Sequence, residues 1–242
     1  MERSLRAGSA IFAAGIGAMG VLMLARLDVP PVLVPLPESL PGRVVIAGLS
    51  GAWLIVSAVT ILADRRARTG ARAIAGLLSI GALLHLRPVL MNPGTPAWAV
   101  AFETVVLACA AWTLAGLLGP IAEWLRVASR FGFGVSLIAF GLFHFLYHQY
   151  IENAVPEWIP GHRFWTYGVG IALMAAGLAV LSRIQGRLAA TLLAIMFGSW
   201  VFIVHAPRVA ASPANADEWS SLIIALACCG ASWILRGSLA PD

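Results

Sequence analysis

Apolar runs of about twenty residues alternate with short polar breaks along the whole chain. The runs are 8–27, 44–63, 73–90, 98–118, 131–150, 164–181, 188–205 and 218–235. A helix of about twenty residues rises roughly 30 Å, the thickness of a bilayer's hydrocarbon core. The pattern therefore predicts eight transmembrane helices. Prolines, glycines and arginines mark the breaks. Pro30, Pro31, Pro35, Pro37 and Pro41 fill the first, Arg65, Arg66 and Arg68 the second, and Gly119-Pro120 the fourth. Ala10, Ala14 and Ala18 form a small-residue stripe in the first run, and Gly168, Ala172 and Ala176 one in the sixth. Such stripes predict close helix approach on those faces.

The polar breaks repeat. Pro37-Glu38-Ser39-Leu40-Pro41-Gly42-Arg43 recurs 119 positions later as Pro156-Glu157-Trp158-Ile159-Pro160-Gly161-His162. His85-Leu86-Arg87-Pro88 recurs 120 positions later as His205-Ala206-Pro207-Arg208, and Leu107-Ala108-Cys109 recurs as Leu226-Ala227-Cys228. Apolar helices align cheaply; matched Pro, Glu, Pro and Gly in a loop do not. The predicted fold class is an all-α polytopic membrane protein built of two four-helix repeats, 1–119 and 131–242, joined by an interfacial linker, 120–130. Four spans is an even number, so the repeats are expected to lie parallel.

Composition sharpens this. The chain is 60% hydrophobic and 11% charged, with mean hydropathy +0.88. A soluble domain carries about 25% charged residues. The expected solvent and first partner is therefore the lipid bilayer. Net charge is +5, and all sixteen basic residues are arginine. In a soluble chain this balance would raise nucleic acid as a partner. Here the arginines sit in short loops, which is a topology signal, so no nucleic-acid partner is expected. Eleven fall on one predicted side and five on the other. The richer side is read as cytoplasmic, giving an inner-membrane multi-pass protein with both termini cytoplasmic. The first run is followed by no small-x-small cleavage site and is read as a helix. Cys109, Cys228 and Cys229 lie inside apolar runs, which argues against a disulfide framework.

Candidate chemistry gathers on the other side. All five histidines, His85, His144, His148, His162 and His205, fall toward it, as do Glu38, Glu152, Glu157 and Glu218. His144 and His148 are spaced for one helix face. Such a pair can ligate a metal, or each ring can bond nearby backbone. His205 precedes Pro207, where a helix loses a backbone donor; its ring can satisfy the freed carbonyl. Glu103 is the one acid well inside a run, with Arg87 or Arg43 as its expected partner. Trp158 and Trp165 flank the second loop, where they can anchor at the interface or stack on a flat ligand. The candidate ligand-binding residues are thus His144, His148, Glu157, Trp158, His162, Trp165, His205 and Arg208, with Glu38, Arg43, His85, Arg87 and Glu103 as a secondary set.

Phe140-Gly141-Leu142-Phe143-His144-Phe145, the stretch 155–165, Ala175-Ala176-Gly177-Leu178-Ala179, Arg187-Leu188-Ala189-Ala190 and His205-Ala206-Pro207-Arg208 together resemble the DoxX-like membrane proteins. The likeness spans 130–235, and 36–118 as a divergent copy. In that first copy Leu24 and Asp28 stand where His144 and His148 stand, and Arg43 stands for His162. The resemblance implies a four-helix membrane unit, here doubled, and a link to quinone-reducing membrane complexes with a redox partner subunit. On this footing the leading expectation is a membrane subunit binding a hydrophobic small molecule, with a quinone as candidate cofactor. The alternatives are a non-catalytic lipid-binding, transport or scaffold protein, and a haem or metal protein using His144, His148 or His205.

Overall fold

The computed structural model describes residues 3–37, 39–64, 66–92 and 97–239, and every regular element among them is helical. The elements are α1 (Arg3–Arg26), α2 (Arg43–Leu62), α3 (Ala67–Leu84), a short α4 (Leu86–Met91), α5 (Ala97–Leu117), α6 (Glu123–Leu146), a short α7 (His148–Glu152), α8 (His162–Ser182), α9 (Gly186–Trp200), a π-helical turn (Val201–His205), a short α10 (Ala206–Ala211) and α11 (Ala216–Ser238). Counting α3 with α4, and α9 through α10, as single segments, eight are long and apolar enough to cross a membrane.

Each long helix packs on the next: α1 on α2, α2 on α3, α3 on α5, α5 on α6, α6 on α8, α8 on α9, α9 on α11, and α11 back on α1. The contact of α5 with α11 crosses the middle. Successive helices run antiparallel, so both termini lie on one face, here the termini face. The proline-rich loops, α4, α7 and α10 lie on the other, the far face. Phe12, Ile16, Leu54, Leu114, Phe133 and Leu173 are fully buried inside. The outward surface is also apolar: Leu49, Trp53, Leu83, Phe164 and Phe202 are more than half exposed. Soluble monomers rarely leave a continuous apolar surface of that kind to water, and this one is compatible with a multi-pass membrane protein.

Close approach is made by glycines, and the expected stripes pack only in part: Ala176 is buried and Ala18 packs against the core, but Ala10, Ala14, Gly168 and Ala172 are exposed. The contacts run instead through Gly20 against Gly51, and Gly141 against Gly170. A Cβ on Gly20 would stand 2.6 Å from the Gly51 carbonyl oxygen, and one on Gly141 2.6 Å from that of Gly170. A small residue every fourth position marks a face that can pack; only the neighbour's shape decides which face does.

Several local features occur in corresponding places. Gly42 and Gly161, at φ 82° and 76°, set up α2 and α8 from a left-handed conformation that glycine adopts without a Cβ penalty. The termini-face turns before α3 and α9 hold Asp64 and Arg66, and Arg183 and Gln185, all at positive φ. α3 and α9 are both interrupted near a histidine, and each continues as a six-residue helix, Leu86–Met91 or Ala206–Ala211. Proline explains both interruptions. Pro88 and Pro207 each lack an N–H and crowd the carbonyl four residues earlier, at Leu84 and Ile203. The first chain breaks its helix there; the second widens it into a π turn.

Two boundaries differ from expectation. α6 begins at Glu123, so most of the expected linker 120–130 is helix. Glu123 in the first turn favours the helix dipole and pairs with Arg126 at 3.3 Å. α3 begins at Ala67 rather than near 73, because Arg68 and Arg72 turn back to donate to the Pro120 carbonyl, keeping their charges at the helix end.

Candidate functional site

The far face of the second half carries two polar clusters. The first forms where α6 ends. Tyr147 leaves the helix, so His144 and His148 do not share one continuous face as their spacing predicts. His144 is buried on α6, and its Nδ1 lies 2.7 Å from the Phe140 carbonyl one turn back. His148 opens α7, and its Nδ1 lies 3.2 Å from Glu152 Oε1. Arg163, in the first turn of α8, donates from Nε to the same oxygen at 3.2 Å. Glu152 thus ties α7 to α8. Desolvation raises its carboxyl pKa, but the hydrogen bonds from His148 and Arg163 outweigh that and hold it below the usual carboxylate range.

The second cluster forms around the π turn. Arg208 on α10 donates from Nε and Nη2 to the two carboxylate oxygens of Glu218 on α11, at 2.8 and 2.9 Å. This fork-to-fork geometry fixes both side chains in one plane. His205 lies within electrostatic reach of both, and Tyr150 within reach of Arg208. His205 Nδ1 is buried and has no hydrogen-bond partner. The expectation that the ring caps the carbonyl freed by Pro207 is therefore not met at this nitrogen.

The remaining candidates spread outward. Glu157 and Trp158 are exposed on the loop, His162 is half-buried as the first residue of α8, and Trp165 is exposed and packs edge-on against Phe164. An open apolar groove of ≈ 490 Å³ between α6 and α8 is lined by Leu142, Phe145, Ile171, Met174, Ala175 and Leu178, with none of the polar candidates among them. Among the described residues, no group of three His, Cys, Asp or Glu side chains is placed to hold a metal ion.

In the first half the secondary candidates hold the fold's own backbone. Arg43 pairs with Asp28 and donates to the carbonyls of Leu36 and Pro37 at 2.8 and 2.9 Å. The Arg43 hydrogen bond keeps Asp28 below the usual carboxylate range. His85 is buried, with Nε2 3.3 Å from the Val32 carbonyl, which Thr104 Oγ1 also reaches. Arg87 is exposed, and neither it nor Arg43 pairs with Glu103 as expected. Glu38 lies outside the described residues.

Sequence reasoning passed over Glu218 and Glu152 as site members, although both were legible as far-side acids. The missing signal was pairing. Glu218 stands in the first turn of α11, whose N-cap Asn215 accepts from the Asp217 amide, and only folding brings α10 beside it.

Comparison with known proteins adds one match. A family model described as Domain of unknown function (DUF8561) matches residues 133–227, a segment running from α6 into α11. No curated protein and no solved structure matches the chain.

Proposed function

We propose that this is an inner-membrane protein of two parallel four-helix repeats that binds an amphipathic small molecule at the far face of its second half. The observation that carries the binding site is the unpartnered Nδ1 of His205, buried in a π turn beside the Arg208–Glu218 pair. A buried polar atom without a partner costs free energy that a ligand's hydrogen bond would recover. π turns within helices are also frequent at functional sites. A headgroup with a carbonyl or hydroxyl fits these donors, and a quinone is such a headgroup. In the DoxX-like reading it would meet a redox partner subunit here.

The repeat is supported by correspondences beyond sequence. The Gly20–Gly51 and Gly141–Gly170 approaches match, as do the positive-φ turns before α3 and α9 and the proline-broken histidine segments. Exchanging each helix with its counterpart maps the neighbour pairs onto one another, with α5 against α11 at the centre. The two histidines then differ instructively. His85 spends its ring on the Val32 carbonyl, whereas His205 has Nδ1 free, which favours the second half as the binding half.

Native mass spectrometry of the full chain released from nanodiscs, with lipid extraction, tests the reading. A retained small molecule lost in His205→Phe, with unchanged thermal stability, is expected. Retention unaffected by that change would leave the non-catalytic scaffold reading in its place. Cysteine accessibility tests orientation: Ser39, Asn92, Asn153 or Asn215 changed to Cys is expected to label from outside, and Thr69 or Gln185 only after permeabilisation. The three native cysteines are buried, so background labelling is low. External labelling at Thr69 would reverse the topology.

A further inference from the structure

Glu103 lies on α5, nearly two turns in from its far-face end, and α5 packs against α11. It is half-buried, and Cys228 of α11 is within electrostatic reach. No ion pair among the described residues reaches it: the five pairs join Arg43 to Asp28, Arg126 to Glu123, His148 and Arg163 to Glu152, and Arg208 to Glu218. Among the described residues no hydrogen bond reaches it either. Its neighbour Thr104 spends its hydroxyl on Val32.

Among the described residues the surroundings supply no counter-charge. From α11 the facing titratable group is the Cys228 thiol, and Cys229 follows it. From α3 it is His85, already held by the Val32 carbonyl. From α4 it is Arg87, which is exposed. α6 carries Glu123, Arg126 and Arg130 toward the termini face and His144 bonded to its own helix. An ionised carboxylate in such a place would be uncompensated, which a low-dielectric interior strongly disfavours.

We propose that Glu103 is a proton-binding site in the seam between the two halves, loaded as the neutral carboxylic acid. A proton needs one carboxyl oxygen, and this site offers one carboxyl. A dehydrated alkali or divalent cation needs several oxygen ligands, and neither Thr104 nor any second acid provides them. The seam position matters because α5 and α11 are the central pair. A proton gained or lost there changes the charge between the halves. The inference rests on the membrane reading above but not on the His205 site.

The test is hydrophobic carbodiimide, which adds to protonated carboxyls in an apolar medium. The acid's proton goes to a carbodiimide nitrogen, the carboxylate oxygen bonds to its central carbon, and rearrangement leaves a stable N-acylurea. The full chain in liposomes is treated with dicyclohexylcarbodiimide and digested for peptide mass spectrometry. An adduct on Glu103 is expected, unaffected by sodium at fixed pH, and absent in Glu103→Gln. No adduct on Glu103, with its peptide recovered unmodified in the same digest, would overturn the proposal. Protection by sodium at constant pH would overturn it in favour of a metal-cation site. A water-soluble carbodiimide labelling Glu103 as readily, together with release of the protein by alkaline carbonate, would instead locate the failure in the membrane reading.

Discussion

Arg208 grips Glu218 by both carboxylate oxygens, at 2.8 and 2.9 Å, and so fastens the short helix α10 to the start of α11. The clamp also fixes the position of the π turn that precedes α10. Lysine cannot reproduce it, because an ammonium is a point donor and not a planar fork. Arg208→Lys is expected to lower stability by about 1–2 kcal/mol, a range already reduced for the partial exposure of the guanidinium. Glu218→Gln keeps the shape but removes the charge and is expected to fall in the same range. Thermal unfolding in a single detergent measures both, and the double variant should lose less than the sum of the singles.

His85 and His205 should respond oppositely to truncation. His85→Ala removes a buried ring and leaves the Val32 carbonyl with Thr104 alone, so a stability loss of about 1–3 kcal/mol is expected. His205→Ala breaks no hydrogen bond at Nδ1 and should cost less. Its effect should appear in ligand retention. Equal losses of stability from the two, with no change in bound small molecule, would make both histidines structural.

Much of the fold was legible because long apolar runs between polar breaks leave little choice but helices. Runs such as 44–63 and 98–118 have the length and apolar composition of helices able to cross a membrane, and α2 and α5 follow those runs within a residue or two. The breaks at Pro88 and Pro207 were equally legible, since a missing N–H has a local consequence. What composition could not give is which face packs. Ala14 and Gly15 are both small neighbours, yet Ala14 is exposed and Gly15 meets Ala227 of α11. The site was legible as a set of residue types at one end of the bundle. Its pairing was not, because Arg208–Glu218 and Glu152–Arg163 depend on how separate helices dock. The spacing of His144 and His148 misled for the same reason: Tyr147 ends the helix between them.

Acid should weaken the far-face ties. Asp28 and Glu152 both have carboxyl pKa values lowered in the folded protein, Asp28 by its hydrogen bond from Arg43, and Glu152 because His148 and Arg163 outweigh desolvation. A depressed folded pKa means the unfolded chain binds the proton more readily. The stabilisation is therefore complete above the ordinary carboxylate range, near ~4, and lost as pH falls through the lower folded value. Thermal stability is expected to decline on acidification through that window, less steeply in Asp28→Asn. A decline setting in only at alkaline pH, or identical in wild type and Asp28→Asn, would remove the Asp28–Arg43 tie from the account.

The glycine contacts give the sharpest packing test. A Cβ on Gly141 would stand 2.3 Å from Met174 Cγ and 2.6 Å from the Gly170 carbonyl oxygen. The methionine can swing aside, but a helix backbone cannot, so α6 and α8 must separate. Gly141→Ala is expected to cost about 1–3 kcal/mol by overpacking. Gly20→Ala should behave alike, because its Cβ would stand 2.6 Å from the Gly51 carbonyl oxygen. Gly168→Ala is the control. It sits on α8 with nothing within 4 Å of a new Cβ. There alanine's better helix propensity, worth up to about 1 kcal/mol, should leave stability equal or raised. Thermal unfolding of the three variants in one detergent separates the outcomes. Equal behaviour at 141 and 168 would mean that the α6–α8 seam is looser than its geometry, and that the glycines do not set its spacing.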